Sequence, residues 1–136
     1  SAIYIVYQIS PTASLEFQAQ IDGVTGAEYY GASLRQFTTT LTGASWGWST
    51  FIPIGTTNIF GTAAESGSGD MLIQFNVDND RWYHNFRTTS HDTQEWGAGY
   101  VPKTGMDENI TQVLFQTSTS TWKIGSTISV YGIKRT

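Results

Sequence analysis

Short segments in which apolar and polar residues alternate are the feature that most limits what this chain can fold into. Three of them are clear: LEFQAQI at 15–21, MLIQFNV at 71–77 and TQVLFQT at 111–117. A period of two residues puts the apolar side chains on one face of an extended strand and the polar ones on the other. No window longer than about ten residues, the minimum for an ordinary helix, holds a helical period. The pattern therefore predicts an all-β protein.

Turn-forming residues separate these segments and indicate the architecture. Glycine, Asp and Asn recur along the chain, and we interpret GAG at 97–99 as a turn and SGSGD at 66–70 as a loop. The spacing leaves room for roughly eight to ten short strands, as in a sandwich or jelly roll. Neither side of SGSGD is long enough to build its own core. We predict a single jelly-roll-like antiparallel β-sandwich spanning residues 1–136.

Composition and charge narrow the classes of partner. The chain contains no cysteine, which rules out disulfides and thiolate metal sites. Only 13% of its residues are charged, and its polarity comes mainly from Thr, Ser, Gln, Asn and Gly. The net charge of −4 argues against a nucleic-acid partner, which would require a basic face. No apolar run reaches the length of a membrane span, so membrane insertion is not expected.

The segment GASWG at 43–47 fits the G-x-S-x-G pattern of the serine-hydrolase nucleophile elbow, with Ser45 as the nucleophile. That elbow needs a strand, a strained turn and then a helix. The residues after Ser45 read WGWSTFIPIG, a segment that is rich in β-forming residues and interrupted by Pro53 and Gly55. We therefore interpret the motif as a coincidence and do not expect the chain to be an enzyme.

Three other patterns suggest chemistry only weakly. His84 and His91 would need a nearby third ligand to hold a metal, and we interpret them as loop histidines. DND at 78–80 looks like part of a calcium loop, but a hairpin turn explains it more simply. A carboxylate pair for glycoside hydrolysis stays open as a minor alternative. We expect no metal site and no cofactor.

Aromatic residues are the most informative candidates for a binding surface. They make up 14% of the chain, and several fall outside clean alternation. Together with a neighbouring arginine, they suit a protein interface, a glycan contact or the closed end of a sandwich core, and the sequence leaves the three open. The ligand or interface candidates are Trp46, Trp48, Arg81, Trp82, Tyr83, Trp96 and Tyr100.

The opening segment IYIVYQI at 3–9 is almost wholly apolar or aromatic. Such a strand is either buried on both faces or covered by another subunit. Homo-oligomers with closed symmetry are the usual way to cover it. Tyr4 and Tyr7 are therefore the candidates for an oligomer interface.

The C-terminal segment ITQVLFQTSTSTWKIGSTISVYGIKRT, Ile110–Thr136, resembles the closing hairpin of small jelly-roll modules in tailed-bacteriophage virion proteins. The upstream segment MLIQFNVDNDRWYHNF is compatible with that family's F-N-x-D…Y hairpin through Phe75, Asn76, Asp78 and Tyr83. The C-terminal match is carried by Trp122, Gly125, Ser126, Tyr131, Gly132, Ile133 and Lys134.

The resemblance implies a virion protein with a structural or binding role and no catalytic residue. Such modules form head fibres, capsid decoration proteins, tail-needle knobs and fibre tips, usually as trimers. The sequence has no heptad stem, which favours the head over the tail tip. We expect a capsid decoration protein that binds other virion proteins as a homotrimer. The alternative is a receptor-binding knob or lectin-like carbohydrate-binding module whose segments 46–48 and 81–83 contact a host glycan.

Overall fold

A computed structural model shows an antiparallel β protein. The described residues contain ten strands and no helix. The residues that the structure describes are 2–10, 16–22, 24, 26–55, 66–76, 81–102, 110–117 and 125–133. The strands are β1 (Ala2–Ile9), β2 (Phe17–Ile21), β3 (Tyr29–Phe37), β4 (Thr40–Ser49), β5 (Ile52–Gly55), β6 (Gly67–Asn76), β7 (Arg81–Thr89), β8 (Thr93–Pro102), β9 (Val113–Thr117) and β10 (Thr127–Ile133). The all-β prediction is confirmed.

Two sheets of unequal size form a sandwich. The larger has the order β10-β1-β6-β7-β8-β3-β4, and the smaller has the order β5-β2-β9. The small sheet lies over the middle of the large one, where β5 contacts β7 and β8. The predicted β-sandwich is therefore confirmed, with seven strands against three in the described residues. Strands β10 and β4 are the two edges of the large sheet, and most of their side chains are exposed.

The core fills the space between the sheets, as the alternation predicts. On β1, Ile5, Tyr7 and Ile9 are buried, whereas Tyr4 and Val6, which alternate with them, are exposed. We call the side of the large sheet that carries the buried residues its core face and the opposite side its outer face. Because directly paired residues in antiparallel strands share a face, the strand registers extend these two faces across all seven strands.

The central strand of the small sheet departs from simple alternation. All five residues of β2 are buried, including Gln18 and Gln20, which alternation alone assigns to a polar face. Their amides remain satisfied: Gln18 Oε1 accepts a hydrogen bond from Gln116 at 3.2 Å, and Gln20 Nε2 donates to the Thr50 carbonyl at 2.8 Å. A buried amide with such partners avoids most of the cost of desolvation.

Two glycine-rich segments, one interpreted as a turn and the other as a loop, form strands instead. Gly67–Asp70 begins β6, and the 97–99 segment lies in the middle of β8. Both predictions were wrong because these glycines allow close approach rather than a turn. A Cβ atom at Gly97 would overlap the Phe86 ring, and one at Gly99 would overlap the Tyr30 carbonyl. Glycine inside a strand is expected where another group comes this close.

Candidate functional site

Aromatic side chains from four adjacent strands meet on the outer face of the large sheet. In the strand register, Tyr83 of β7 lies opposite Tyr100 of β8, which lies opposite Tyr30 of β3. Trp48 of β4 extends the series to the sheet edge, where its ring contacts Tyr30. We call Tyr83, Tyr100, Tyr30 and Trp48 the aromatic row. Three of its members and the adjacent Arg81 are candidates from the sequence.

The rings of the aromatic row pack on one another. Tyr30 and Tyr100 are stacked, with centroids 5.2 Å apart and planes 12° apart. The guanidinium carbon of Arg81 lies 4.5 Å from the centroid of the Tyr100 ring. Because β8 lies between β7 and β3, Arg81 and Tyr30 approach Tyr100 from opposite sides. Both faces of this ring are therefore occupied, one by a cation and one by a second ring.

Trp48 is the exposed end of the aromatic row. Its side chain is 74% exposed, and its ring meets Tyr30 edge-on with centroids 5.4 Å apart. Its φ of 56° lies in the left-handed region, which is unfavourable for a bulky residue. A bulge explains the conformation, because Gly47 and Trp48 together oppose Tyr30 alone between the pairs Tyr29–Ser49 and Gly31–Trp46. The bulge turns the indole onto the outer face.

Trp96 lies on the same outer face but apart from the aromatic row. It is 37% exposed and stands between Arg87 of β7 and Leu34 of β3 in the register. Two residues of β8 correspond to one step along the same face, so Trp96 is two steps from Tyr100. Trp96 is therefore a separate exposed aromatic rather than a member of the row.

A polar groove of about 370 Å³ runs across β10, β1, β6 and β7, and its lining residue Arg87 is paired with Trp96 of β8. Its charged pair is Arg87 and Asp70, which lie directly opposite in the register with Nη2 and Oδ2 3.5 Å apart. Most of its other lining groups are neutral hydrogen-bonding side chains. The lining residues are Val6, Tyr7, Gln8, Ser68, Gly69, Asp70, Arg87, Thr89, Thr127 and Ser129. We call this depression the polar groove.

Two residues proposed as surface contacts are buried in the core, and those predictions were wrong. Trp82 is fully buried and packs against Phe75, with ring centroids 5.1 Å apart. Tyr7 is 1% exposed, and its hydroxyl shares a hydrogen bond with the Thr88 hydroxyl. Both side chains lie on the core face, because each is an even number of residues away from a buried residue of its own strand. That residue is Ile5 for Tyr7 and Phe86 for Trp82. Neither side chain is exposed on the outer face.

Trp46 also lies on the core face, in contrast to its neighbour Trp48. It is half-buried against Phe86, with ring centroids 6.3 Å apart, and among the described residues its Nε1 has no hydrogen-bond partner. Tyr4, the other proposed interface residue, is 36% exposed and lies beside Tyr131 at 6.4 Å. Of these two residues, only Tyr4 is available on the outer face.

The two histidines are not brought together. His91 is exposed in the turn before β8, whereas His84 is buried on the core face, so the interpretation of His84 as a loop residue was wrong. Burial lowers the pKa of His84 to about 3, because the charged ring would lose its hydration. Neither ring nitrogen has a hydrogen-bond partner among the described residues. Those residues contain no group of three metal-ligating side chains.

The other sequence predictions concern the nucleophile elbow, the calcium loop and membrane insertion. Ser45 lies within β4, paired with Ala32, so the strained turn and helix of a nucleophile elbow do not follow it. Asp78–Asp80 lies outside the described residues. In the part of the chain that is described, no helix is long and apolar enough to cross a membrane.

Tyr30 is the member of the aromatic row that the sequence analysis missed. It follows Tyr29 directly, and alternation sends Tyr29 into the core, where it is fully buried, and Tyr30 to the outer face. The alternation of side chains along a strand was therefore the signal that could have identified Tyr30 as an exposed residue. Comparison with known proteins adds nothing to the assignment, since the chain matches no protein-family model, no curated protein and no solved structure.

Proposed function

We propose that this chain is a structural protein of a tailed-phage virion, and specifically a decoration protein that binds the capsid through the aromatic row on the outer face of its large sheet. The observation that carries the proposal is Trp48. Its side chain is 74% exposed and its backbone is left-handed, a combination that we expect only where the side chain has a role at the surface. Such a conformation costs about 1–3 kcal/mol and is typical of binding sites.

The geometry of the aromatic row favours a protein partner over a sugar. A pyranose binds by lying against a free ring face, but Arg81 and Tyr30 occupy both faces of Tyr100. The most exposed ring of the row is then the single projecting indole of Trp48, at its end. Tryptophan, tyrosine and arginine are also the residues that contribute most at protein interfaces, where they fill pockets on the partner. The resemblance to virion modules supplies the kind of partner.

The lectin-like alternative is favoured by a different observation. The polar groove offers neutral hydroxyl and amide groups together with the Asp70–Arg87 pair, and the exposed Trp96 lies directly opposite Arg87 in the strand register. Hydrogen-bonding groups beside a free aromatic ring suit a neutral saccharide of a host surface. Because Trp96 is separate from the aromatic row, the two functions can be tested with different substitutions.

Binding to phage particles tests the first proposal. Particles of the source phage that lack the chain are mixed with purified protein and pelleted, and the bound fraction is measured. Wild type and the control Trp96→Ala should bind alike, whereas Trp48→Ala should bind at least about tenfold more weakly, as expected for a tryptophan hot spot. Failure of the wild type to bind, or equal binding of Trp48→Ala, would overturn the proposal.

The same two variants test the alternative in reverse. An array of bacterial cell-wall glycans is probed with labelled protein. Binding that is lost in Trp96→Ala and kept in Trp48→Ala would support a carbohydrate-binding module with its site at the polar groove. The absence of any glycan signal from the wild type would remove this alternative.

A further inference from the structure

Strand β10 forms one edge of the large sheet and is exposed along its whole length. It pairs with β1 on one side, and in the described part of the chain no strand lies on its other side. All seven of its residues are exposed. An unpaired edge presents a row of backbone N–H and C=O groups that can pair with another strand.

The exposed side chains of β10 are apolar on both faces. Tyr131 and Ile133 lie on the outer face and are 55% and 49% exposed. Val130 and Ile128 lie on the core face, opposite Ile5 and Tyr7 of β1, but they are 56% and 37% exposed because the small sheet does not reach them. Core-face residues normally pack against a second layer, and here the described residues provide none.

Natural edge strands are often protected from pairing by charged residues, prolines or bulges, and the seven residues of β10 show none of these three. Its sequence TISVYGI contains no charged residue and no proline. The opposite edge, β4, differs because a bulge and the left-handed Trp48 interrupt its regular pairing geometry. Of the two edges of the large sheet, β10 is the one suited to accept a further strand.

We propose that β10 pairs antiparallel with β10 of a second copy of this chain, across a two-fold axis near Val130. Val130 is the central residue of Thr127–Ile133, so this axis sets it opposite its own counterpart and aligns the full strand. The strand lacks formal charge, so two copies do not repel each other there although each chain carries −4. A two-fold interface is self-complementary, as an identical edge requires.

The proposed contact also covers the uncovered core-face residues. Pairing brings Val130 and Ile128 of both copies together in the space beyond the two small sheets, where their apolar surfaces exclude water. A seven-residue strand is about 24 Å long, which is short against a standard interface of about 800 Å² per partner. We therefore expect a dimer that depends on concentration. This inference is independent of capsid binding, and a homotrimer remains the prediction of the resemblance.

Sedimentation velocity from about 1 μM to about 1 mM protein, the range of weak to moderate association, measures the pairing. The wild type should shift from monomer to dimer with concentration. Val130→Lys should weaken the association at least about tenfold, because it sets two like charges opposite each other at the edge. Leu41→Lys on β4 is the matched control, since Leu41 is 61% exposed on the other edge, and it should dimerise like wild type. A wild type that stays monomeric or forms trimers would overturn the two-fold pairing.

A cross-linking experiment tests the same contact without a charge in the strand. The chain has no cysteine, so Val130→Cys introduces a single thiol at the proposed axis. Directly opposed strand residues approach closely enough for a disulfide. Mild oxidation should give a covalent dimer with Val130→Cys and at least about tenfold less with Leu41→Cys. Equal cross-linking of the two variants would contradict the pairing even if Val130→Lys failed to fold.

Discussion

His84 gives the structure a built-in sensitivity to acid that can be measured directly. Its ring is buried on the core face, opposite Ile73 of β6 and Gly99 of β8, and neither nitrogen has a hydrogen-bond partner among the described residues. Burial lowers its pKa to about 3, against about 6.5 for an exposed histidine. The substitution that removes the effect is His84→Phe, which keeps a ring of similar size and has no proton to gain.

The sign of the effect is set by proton binding. Between pH 6.5 and pH 3 the unfolded chain holds a proton on His84 that the folded chain cannot bind, so stability is complete above pH 6.5 and falls as the pH is lowered. With pKa values of about 6.5 unfolded and about 3 folded, the loss relative to pH 7 is about 2 kcal/mol at pH 5 and about 3 kcal/mol at pH 4. These losses are a large share of a typical domain stability of about 5–15 kcal/mol.

Urea unfolding at pH 7, 6, 5 and 4 measures the effect as a difference between variants. Carboxylates also titrate in this range, but they do so in both proteins and cancel in the comparison. The free energy of unfolding of His84→Phe minus that of wild type should increase by about 2 kcal/mol from pH 7 to pH 5. His91→Phe, which replaces an exposed histidine, is the matched control for the substitution itself. A difference between His84→Phe and wild type that stays constant with pH would refute the reasoning.

Three further substitutions test the packing of the aromatic residues. Trp82→Ala should lower the free energy of unfolding by about 3–5 kcal/mol, because it empties a fully buried position, and a loss under about 1 kcal/mol would contradict the burial. Tyr7→Phe removes a hydroxyl bonded to Thr88 and should cost about 1 kcal/mol in urea unfolding, the net value of one hydrogen bond, since Thr88 still donates to the Ile54 carbonyl. Trp48→Gly should be about 1 kcal/mol more stable than Trp48→Ala, because glycine tolerates the left-handed backbone, and the reverse order would contradict the strain.

The fold class could be predicted because its signal is local. In β6, alternation in the sequence already separates Ile73 and Phe75 from Gln74, and the structure buries the first two and exposes the third. The number of strands per sheet could not be predicted in the same way, since it depends on pairings between distant segments. Gly97 shows why, because its position inside β8 is set by the Phe86 ring of the neighbouring strand.

The candidate site was only partly predictable for the same reason. Composition pointed to the exposed aromatics, and Trp48, Tyr83, Tyr100 and Arg81 do lie together. Alternation separates Trp82 from Tyr83, but only the strand register decides which of the two faces the small sheet. A single sequence contains no such register, and so the buried Trp82 was grouped with the exposed residues.

Immunogold labelling of intact particles tests the central claim most directly. An antibody raised against this chain is applied to particles from its source, and the gold is located by electron microscopy. As a decoration protein, the chain should give gold distributed over the heads. Gold confined to the tail tip would make it an adhesin and direct attention to Trp96 and the polar groove. Particles that carry no gold at all would contradict the proposal that this chain belongs to a virion.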